Sequence, residues 1–267
     1  MKKNNFISKT KKNLLLFFII LLIWQILYKI GIFSPIYLPG PVKVFETFCN
    51  MVFDGTIFTN LLASLYRVFI GYFLALFVGF ILALFFYLKP KTYPYFSNLL
   101  DFLKNIPPLG LIPLLILWLG IGEVSKIAIV FMASFFPIFL NIQKGFMVTE
   151  TDLIEMARSF SYKDGEIFRK IILPSSLVDI FVGARIGLGY AYRSIIAAEM
   201  LAASKGLGYL INFSRLMSRT DKVLVGIFMI GFVGMISDKI FVKFAGLFLK
   251  GDLKNEWYKS NWSLQNL

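Results

Sequence analysis

The chain has 267 residues, 58% of them hydrophobic, with a formal charge of +13 and a mean hydropathy of +0.74. So apolar a chain of this length predicts one polytopic membrane domain, and its Lys/Arg excess then marks the cytoplasmic flanks of spans rather than a nucleic-acid surface. A single cysteine (Cys49) excludes an internal disulfide, and the absence of histidine excludes a His-dependent triad and argues against a His/Cys metal site.

Lys2, Lys3, Lys9, Lys11 and Lys12 crowd residues 1–13, and Leu14 to about Ile30 is apolar. No small-x-small cleavage site follows, so an uncleaved first span with a cytoplasmic basic N-terminus is expected rather than a signal peptide. Pro35, Pro39, Gly40 and Pro41 break structure in the outside segment 31–60, where VKVFETFCNMV reads as a short interfacial helix. The second span is expected from about Leu61 to Leu88, closed inside by Lys89, Pro90 and Lys91. Its Ala63, Gly71, Ala75, Gly79 and Ala83 recur at four or eight residues, a stripe for close helix packing rather than a binding motif. Residues 92–105 approach the membrane from the cytoplasmic side or re-enter it. Pro107 and Pro108 lead into a third span over about Leu109 to Ile121, which is too short to cross unless it begins near Phe102 and is kinked by the prolines. After an outside turn at Gly120, Gly122 and Glu123, a fourth span runs from about Val124 to Gln143, with Lys144 closing it inside.

The next stretch, EMARSFSYKDGEIFRKIILP (155–174), is the one polar, charged run of its length between apolar segments. Asp152 is placed to cap a helix in which Glu155 takes the third position and reaches back to free backbone N–H groups. Met156, Ala157 and Phe160 would give that helix one small, apolar face. Gly165 offers a turn, Ile167, Phe168, Ile171 and Ile172 suggest a second short amphipathic helix, and Pro174 forces a break. A helix–turn–helix without catalytic groups, set between two spans, reads as a docking element.

A fifth span over Leu177 to Ala202 carries Arg185, Arg193 and Glu199, charges that cost roughly 2.5–3.5 kcal/mol each at a helix centre. Arg193 falls near mid-membrane and Glu199 near the outer face. Arg185 and Glu199 share a helical face but lie ~21 Å apart along the axis, so they cannot pair. The two arginines either line an anion path or are satisfied by carbonyls, by a carboxylate such as Asp179, or by snorkelling. Residues 203–222 return outside, a sixth span covers about Val223 to Leu249, and the polar tail 250–267 with its two tryptophans lies at the membrane surface. In this topology the inside segments hold seventeen Lys/Arg against five outside, which supports two cytoplasmic termini and a cytoplasmic docking loop. No G-x-x-x-x-G-K-[S/T] run occurs, so any ATP hydrolysis would belong to a partner.

The loop also resembles a family signature. Glu155, Ala157, Ile171, Leu173 and Pro174 match the spacing of the E-A-A, Gly, I-x-L-P loop in permease subunits of ATP-binding-cassette importers, the binding-protein-dependent family. Met156 replaces the first alanine and Ser161 the glycine. LPGPVKV, LASLYRVFIGYFLAL and PPLGLIPLLILWLGIGEVSKIAIVFMASFFPIFLN resemble the nitrate/sulfonate/taurine branch. The resemblance implies an all-α fold of about six transmembrane helices in one permease domain, residues 14–249, with a coupling helix between spans four and five. It implies that Glu155, Met156, Ala157, Phe160, Ser161, Gly165, Leu173 and Pro174 dock on a separate ATPase. Serine tolerates a left-handed cap less well than glycine, which moves the expected turn toward Asp164–Gly165. The other partners implied are an extracytoplasmic solute-binding protein, a second copy of the chain or a related permease, and membrane lipid; no cofactor is implied.

The mechanism implied is alternating access in a bacterial plasma membrane, and Glu199 would gate the cavity or contact the binding protein. Cargo in this branch includes nitrate, sulfonates, taurine and thiamine-precursor pyrimidines. The intramembrane arginines favour an oxyanion or sulfonate. A secondary transporter would leave the loop unexplained, and no convincing internal repeat supports one. A channel would call for a pore loop or ring of charges, and a membrane enzyme for histidines or clustered carboxylates.

Overall fold

A bilayer offers no water to backbone groups, so long apolar runs satisfy their own N–H and C=O groups as helices. The computed structural model describes residues 2–147, 151–249 and 257, among which there is no strand. The helices are α1 (Lys2–Ile30), α2 (Pro41–Phe53), α3 (Thr56–Leu88), α4 (Tyr93–Lys104), α5 (Ile112–Leu119), α6 (Glu123–Met147) and α7 (Thr151–Ser159). They continue with α8 (Asp164–Ser175), α9 (Leu177–Ala202), α10 (Leu207–Leu216) and α11 (Thr220–Phe248).

Helices α3, α6 and α11 are each long and apolar enough to cross a membrane. Two bent pairs, α4–α5 at 81° and α8–α9 at 57°, bring the spans to five if each pair is one span. The first expected span lies within α1, of which Phe18–Ile30 is an apolar helical stretch among the described residues. It is tied to the bundle by the Trp24 indole N–H, which donates to the Pro39 carbonyl at 3.1 Å.

The third expected span is corrected. Helix α4 stops at Lys104 instead of running on from Phe102, and α5 has eight residues, ~12 Å of rise. Two prolines in succession lack N–H donors, and each pushes the residue before it out of helical geometry, so Pro107–Pro108 break the chain where one proline would kink it. The segment 203–222, expected outside, also holds more than a loop: α10 packs between α9 and α11 with Leu207, Leu210 and Ile211 buried.

The core is the trio α3, α6 and α9, and small residues set its spacing. A Cβ on Gly71 would stand 2.7 Å from Val130, and one on Gly187 would stand 2.6 Å from Ile138. The packing stripe expected on α3 is therefore the face that meets α6, with Ala75 and Ala83 fully buried. Opposite faces carry exposed Phe69, Phe77, Phe228 and Phe244, an apolar girdle suited to lipid and foreign to a water-soluble surface. The polar tail lies outside the described residues except Trp257, which is buried against Phe181 and Leu249.

Candidate functional site

The polar loop is built as two packed helices. In α7, Ala157 is buried at 4% exposure and joins the main core with Ile167 and Ile172 of α8. Phe168 sets its ring 5.4 Å from both Tyr87 and Phe146, pinning α8 to the ends of α3 and α6. Met156 (53%) and Phe160 (72%), one turn apart, point away from that core. The single apolar face expected from Met156, Ala157 and Phe160 is thus two faces, one buried and one open.

The local rules fall differently from the expectation. The cap expected of Asp152 lies outside the described residues, which leave out 148–150 where α7 is entered, and Glu155 is exposed on α7. Helix α7 ends through Ser161, which adopts φ +59° despite its Cβ. The Ser161 N–H donates to Arg158 O (2.8 Å) and the Tyr162 N–H to Ala157 O (3.1 Å), the pair of bonds that closes a helix around a left-handed residue. The turn stays at Ser161, and Gly165 sits inside α8. The capping carboxylate belongs to Glu166, whose Oε2 accepts the Lys163 N–H at 3.2 Å and whose Oε1 meets Lys170 at 3.1 Å. Those two contacts, the backbone bond first, hold Glu166 below the usual carboxylate range. Pro174 does not end its helix. A π-helical turn over Phe168–Ile172 absorbs the ring, Leu173 and Pro174 remain helical, and the bend comes after Ser175.

The intramembrane charges separate into two groups. Toward the middle of α9, the Arg185 guanidinium forks onto Asp238 of α11 with bonds of 2.6 and 2.8 Å. Asp179, the carboxylate offered by the sequence, pairs instead with Lys144 at 3.0 Å. Arg193 is exposed, its guanidinium carbon 5.9 Å from the Tyr190 ring centroid. Arg185, Arg193 and Asp238 line one cavity of about 470 Å³ between α9 and α11.

Glu199 is elsewhere and is buried at 1% exposure. It accepts from Arg67 Nη1 (2.6 Å), from the Ser64 hydroxyl (2.8 Å) and from the Gly208 N–H (3.0 Å). Arg67 also grips Glu123 at 2.6 and 2.8 Å, and donates to the Lys205 carbonyl at 2.7 Å. Glu199 therefore neither lines the cavity nor lies at a surface; it anchors the 203–208 turn and supplies a carboxylate to the N-terminus of α10. Arg67 and Asp238 were the residues that sequence pattern missed. Each was visible as a charge inside an apolar run, the signal that singled out Arg185 and Arg193.

A bundle of apolar spans with a cavity and charges among them, and a rigid polar helix pair packed at one end, is the build of a membrane transport subunit. Comparison with known proteins makes the class specific. The family described as the binding-protein-dependent transport system inner membrane component matches residues 55–245, and the chain belongs to that family. SsuC of Bacillus subtilis (strain 168), named for aliphatic sulfonates transport, is 35% identical over 85% of this chain and 82% of its own. The taurine transport system permease protein TauC of Escherichia coli (strain K12) is 30% identical over 82% of this chain and 81% of its own. The nitrate import permease protein NrtB of Synechocystis sp. is 29% identical over 88% of each chain. Among solved structures, the MetNI methionine ABC transporter in an inward-facing conformation shares the fold at TM-score 0.62 and 17% identity. That match covers 72% of this chain and 95% of the other.

Proposed function

We propose that this permease is the membrane-spanning subunit of an ATP-driven importer that moves a small oxyanion, of the sulfonate, taurine or nitrate kind. Its relatives' names support that cargo class, and the two arginines at the α9–α11 cavity support an anion path. Two copies of the chain, two ATPase subunits and an extracytoplasmic solute-binding protein complete the importer, with both termini and the α7–α8 loop in the cytoplasm. ATP closure of the ATPases moves the docked loops, and the cavity changes the side it faces.

The observation that carries this reading is the two-faced α7. Ala157 fixes the helix to the core while Met156 and Phe160 stand open on the opposite side. A lever needs both, a rigid root and a free contact. Burying a phenylalanine side chain is worth ~1.5–3 kcal/mol, enough to hold a partner when combined with its neighbours. Glu155, Ser161 and Gly165 flank that contact, and Leu173 and Pro174 carry its motion into α9.

The test is co-purification of the ATPase in mild detergent with wild type and with a Met156→Ser, Phe160→Ala double variant. Both side chains are exposed, so the permease should fold normally and lose its ATPase. Retention of the ATPase by the double variant would refute docking on this face. An Ala157→Trp variant is a poorer probe, because a buried alanine replaced by tryptophan deforms the loop's root whether or not a partner is bound.

A further inference from the structure

Arg67 has two sides. Its Nη1 donates to Glu199 (2.6 Å) and to the Lys205 carbonyl (2.7 Å), which belong to the buried anchor of the 203–208 turn. Its Nε and Nη2 fork onto the two Glu123 oxygens at 2.6 and 2.8 Å. Lys126, one turn further along α6, brings its ammonium to Glu123 Oε1 at 3.3 Å. The Arg67 and Lys126 side chains are 4% and 5% exposed, whereas that of Glu123 is 50% exposed. Two buried cations therefore converge on a carboxylate that solvent reaches. Cations so deeply buried need an anion, and Glu123 is the member of this group placed to leave. It is the first residue of α6 and follows directly on a turn in which Gly120 has φ +79° and a Cβ on Gly122 would meet nothing within 4 Å.

We propose that Arg67 and Lys126 form a cradle for a small anion with three oxygens on one centre, a sulfonate or nitrate, and that Glu123 fills this cradle until such an anion displaces it. With Glu123 swung out, Glu199 and the Lys205 carbonyl still hold the guanidinium, so Nε and Nη2 stay aimed at the same point. Their fork needs two oxygens on one centre, which carboxylate, nitrate and sulfonate all present. The third oxygen separates these ligands. Both Glu123 oxygens are taken by the fork, so Lys126 shares Oε1 at 3.3 Å, longer than the ~2.7–2.9 Å of a charge-assisted N–H···O bond. A sulfonate or nitrate on the fork offers its remaining oxygen to Lys126. The N-terminus of α6 adds partial positive charge at the same place. The exchange replaces one anion by another, so two cations still face two anions. The cradle lies in the half of α3 remote from Tyr87 and the α7–α8 loop, and it shares no residue with the α9–α11 cavity. Its cargo rests on the oxyanion reading above; the cradle itself stands on these three side chains.

The experiment uses the full-length permease with its bound subunits in nonionic detergent. Its thermal midpoint is followed as chloride is exchanged for ethanesulfonate, nitrate or acetate at constant ionic strength. Chloride, a single atom, cannot span Nε and Nη2. Glu123→Ala should lower the midpoint in chloride, and ethanesulfonate or nitrate should restore it saturably. The half-saturating concentration should be about tenfold or more below that of wild type, where the tethered carboxylate competes. Acetate, lacking the third oxygen, should need roughly tenfold more than ethanesulfonate, and a Glu123→Ala, Lys126→Gln double variant should erase that difference. A Glu123→Ala, Arg193→Gln double variant should respond as Glu123→Ala does. Should Glu123→Ala not fold, Glu123→Gln, which keeps an acceptor and loses the charge, should rank the anions in the same order.

No saturable response in the Glu123 variants, or one equal to that of wild type, would overturn the cradle. Acetate matching ethanesulfonate while Lys126 is present would overturn the three-oxygen preference. A response lost with Arg193→Gln would put the anion in the α9–α11 cavity, overturning the cradle and leaving the anion path standing. Restoration of Glu123→Ala by phosphatidylglycerol nanodiscs, and by neither free anion, would assign the cradle to a lipid headgroup and overturn its cargo.

Discussion

Replacing Glu199 by alanine should loosen the end of the bundle around the 203–208 turn more than any single change in the apolar girdle. The carboxylate has no exposure, and its removal takes the acceptor from three donors at once: one of the two N–H groups of Arg67 Nη1, the Ser64 hydroxyl and the Gly208 N–H. Breaking a buried ion pair by deleting one partner costs ~3–5 kcal/mol. Arg67 retains its fork to Glu123 and its bond to Lys205 O, so the lower end, ~3 kcal/mol, is expected. For a chain of this size that is a fall of roughly 6–12 °C in the unfolding midpoint. Glu199→Gln keeps an acceptor for Ser64 and Gly208 and should lose about half as much.

The readouts are thermal unfolding in detergent and amide hydrogen exchange at 206–208. There the Gly206 N–H donates to Asn60 and the Leu207 N–H to Ser64. Faster exchange at Gly208 should accompany the lower midpoint. A Glu199→Ala protein within 2 °C of wild type, with unchanged exchange at those amides, would refute the anchoring role.

How far the sequence carried this fold depends on the kind of information each element needed. Helix α9 is bounded where the apolar pattern ends, Leu177 to Ala202, and helix α2 follows the proline-rich break as its pattern predicted. Periodicity assigns a residue to a face, but it cannot say which distant residue meets it. Arg67 finds partners 56 and 132 positions away, and Arg185 finds one 53 away. That is why Glu199 looked like a surface or gating group and Asp179 like a partner for arginine. The capping signal failed for another reason. An acidic residue three positions after a polar one recurs in the loop, at Glu155, Asp164 and Glu166, and it is Glu166 whose carboxylate accepts a backbone N–H at the start of α8. Sequence also placed Met156 and Ala157 together because both are small or apolar, although adjacent positions on a helix are 100° apart and only one can face the core.

Three further outcomes follow from local geometry. Ser161→Gly should stabilise the end of α7 by ~0.5–1 kcal/mol, because glycine takes φ +59° without a Cβ penalty. Slower exchange of the Tyr162 amide would report it, and an unchanged rate would count against the left-handed cap. Glu166 sits below the usual carboxylate range through its bond to the Lys163 N–H and its contact with Lys170. Its stabilising contribution is therefore present above its unfolded-state value and lost as pH falls through the depressed folded value. Proteolytic nicking at 162–166 should rise only on the acid side of the ordinary carboxylate titration, and Glu166→Gln should remove that pH step. The last concerns two glycines of α9. Gly187→Ala drives a methyl to 2.6 Å from Ile138 and 3.2 Å from the Ser134 carbonyl, so α6 and α9 must separate, at ~1–3 kcal/mol. Gly189→Ala, two residues on, meets nothing within 4 Å and should gain up to ~1 kcal/mol of helix propensity. Thermal unfolding midpoints that move in opposite directions would establish that one glycine serves packing and the other leaves space. Midpoints that fall together would mean that Gly189 also faces a partner, and that the α9–α11 cavity closes in the assembled protein.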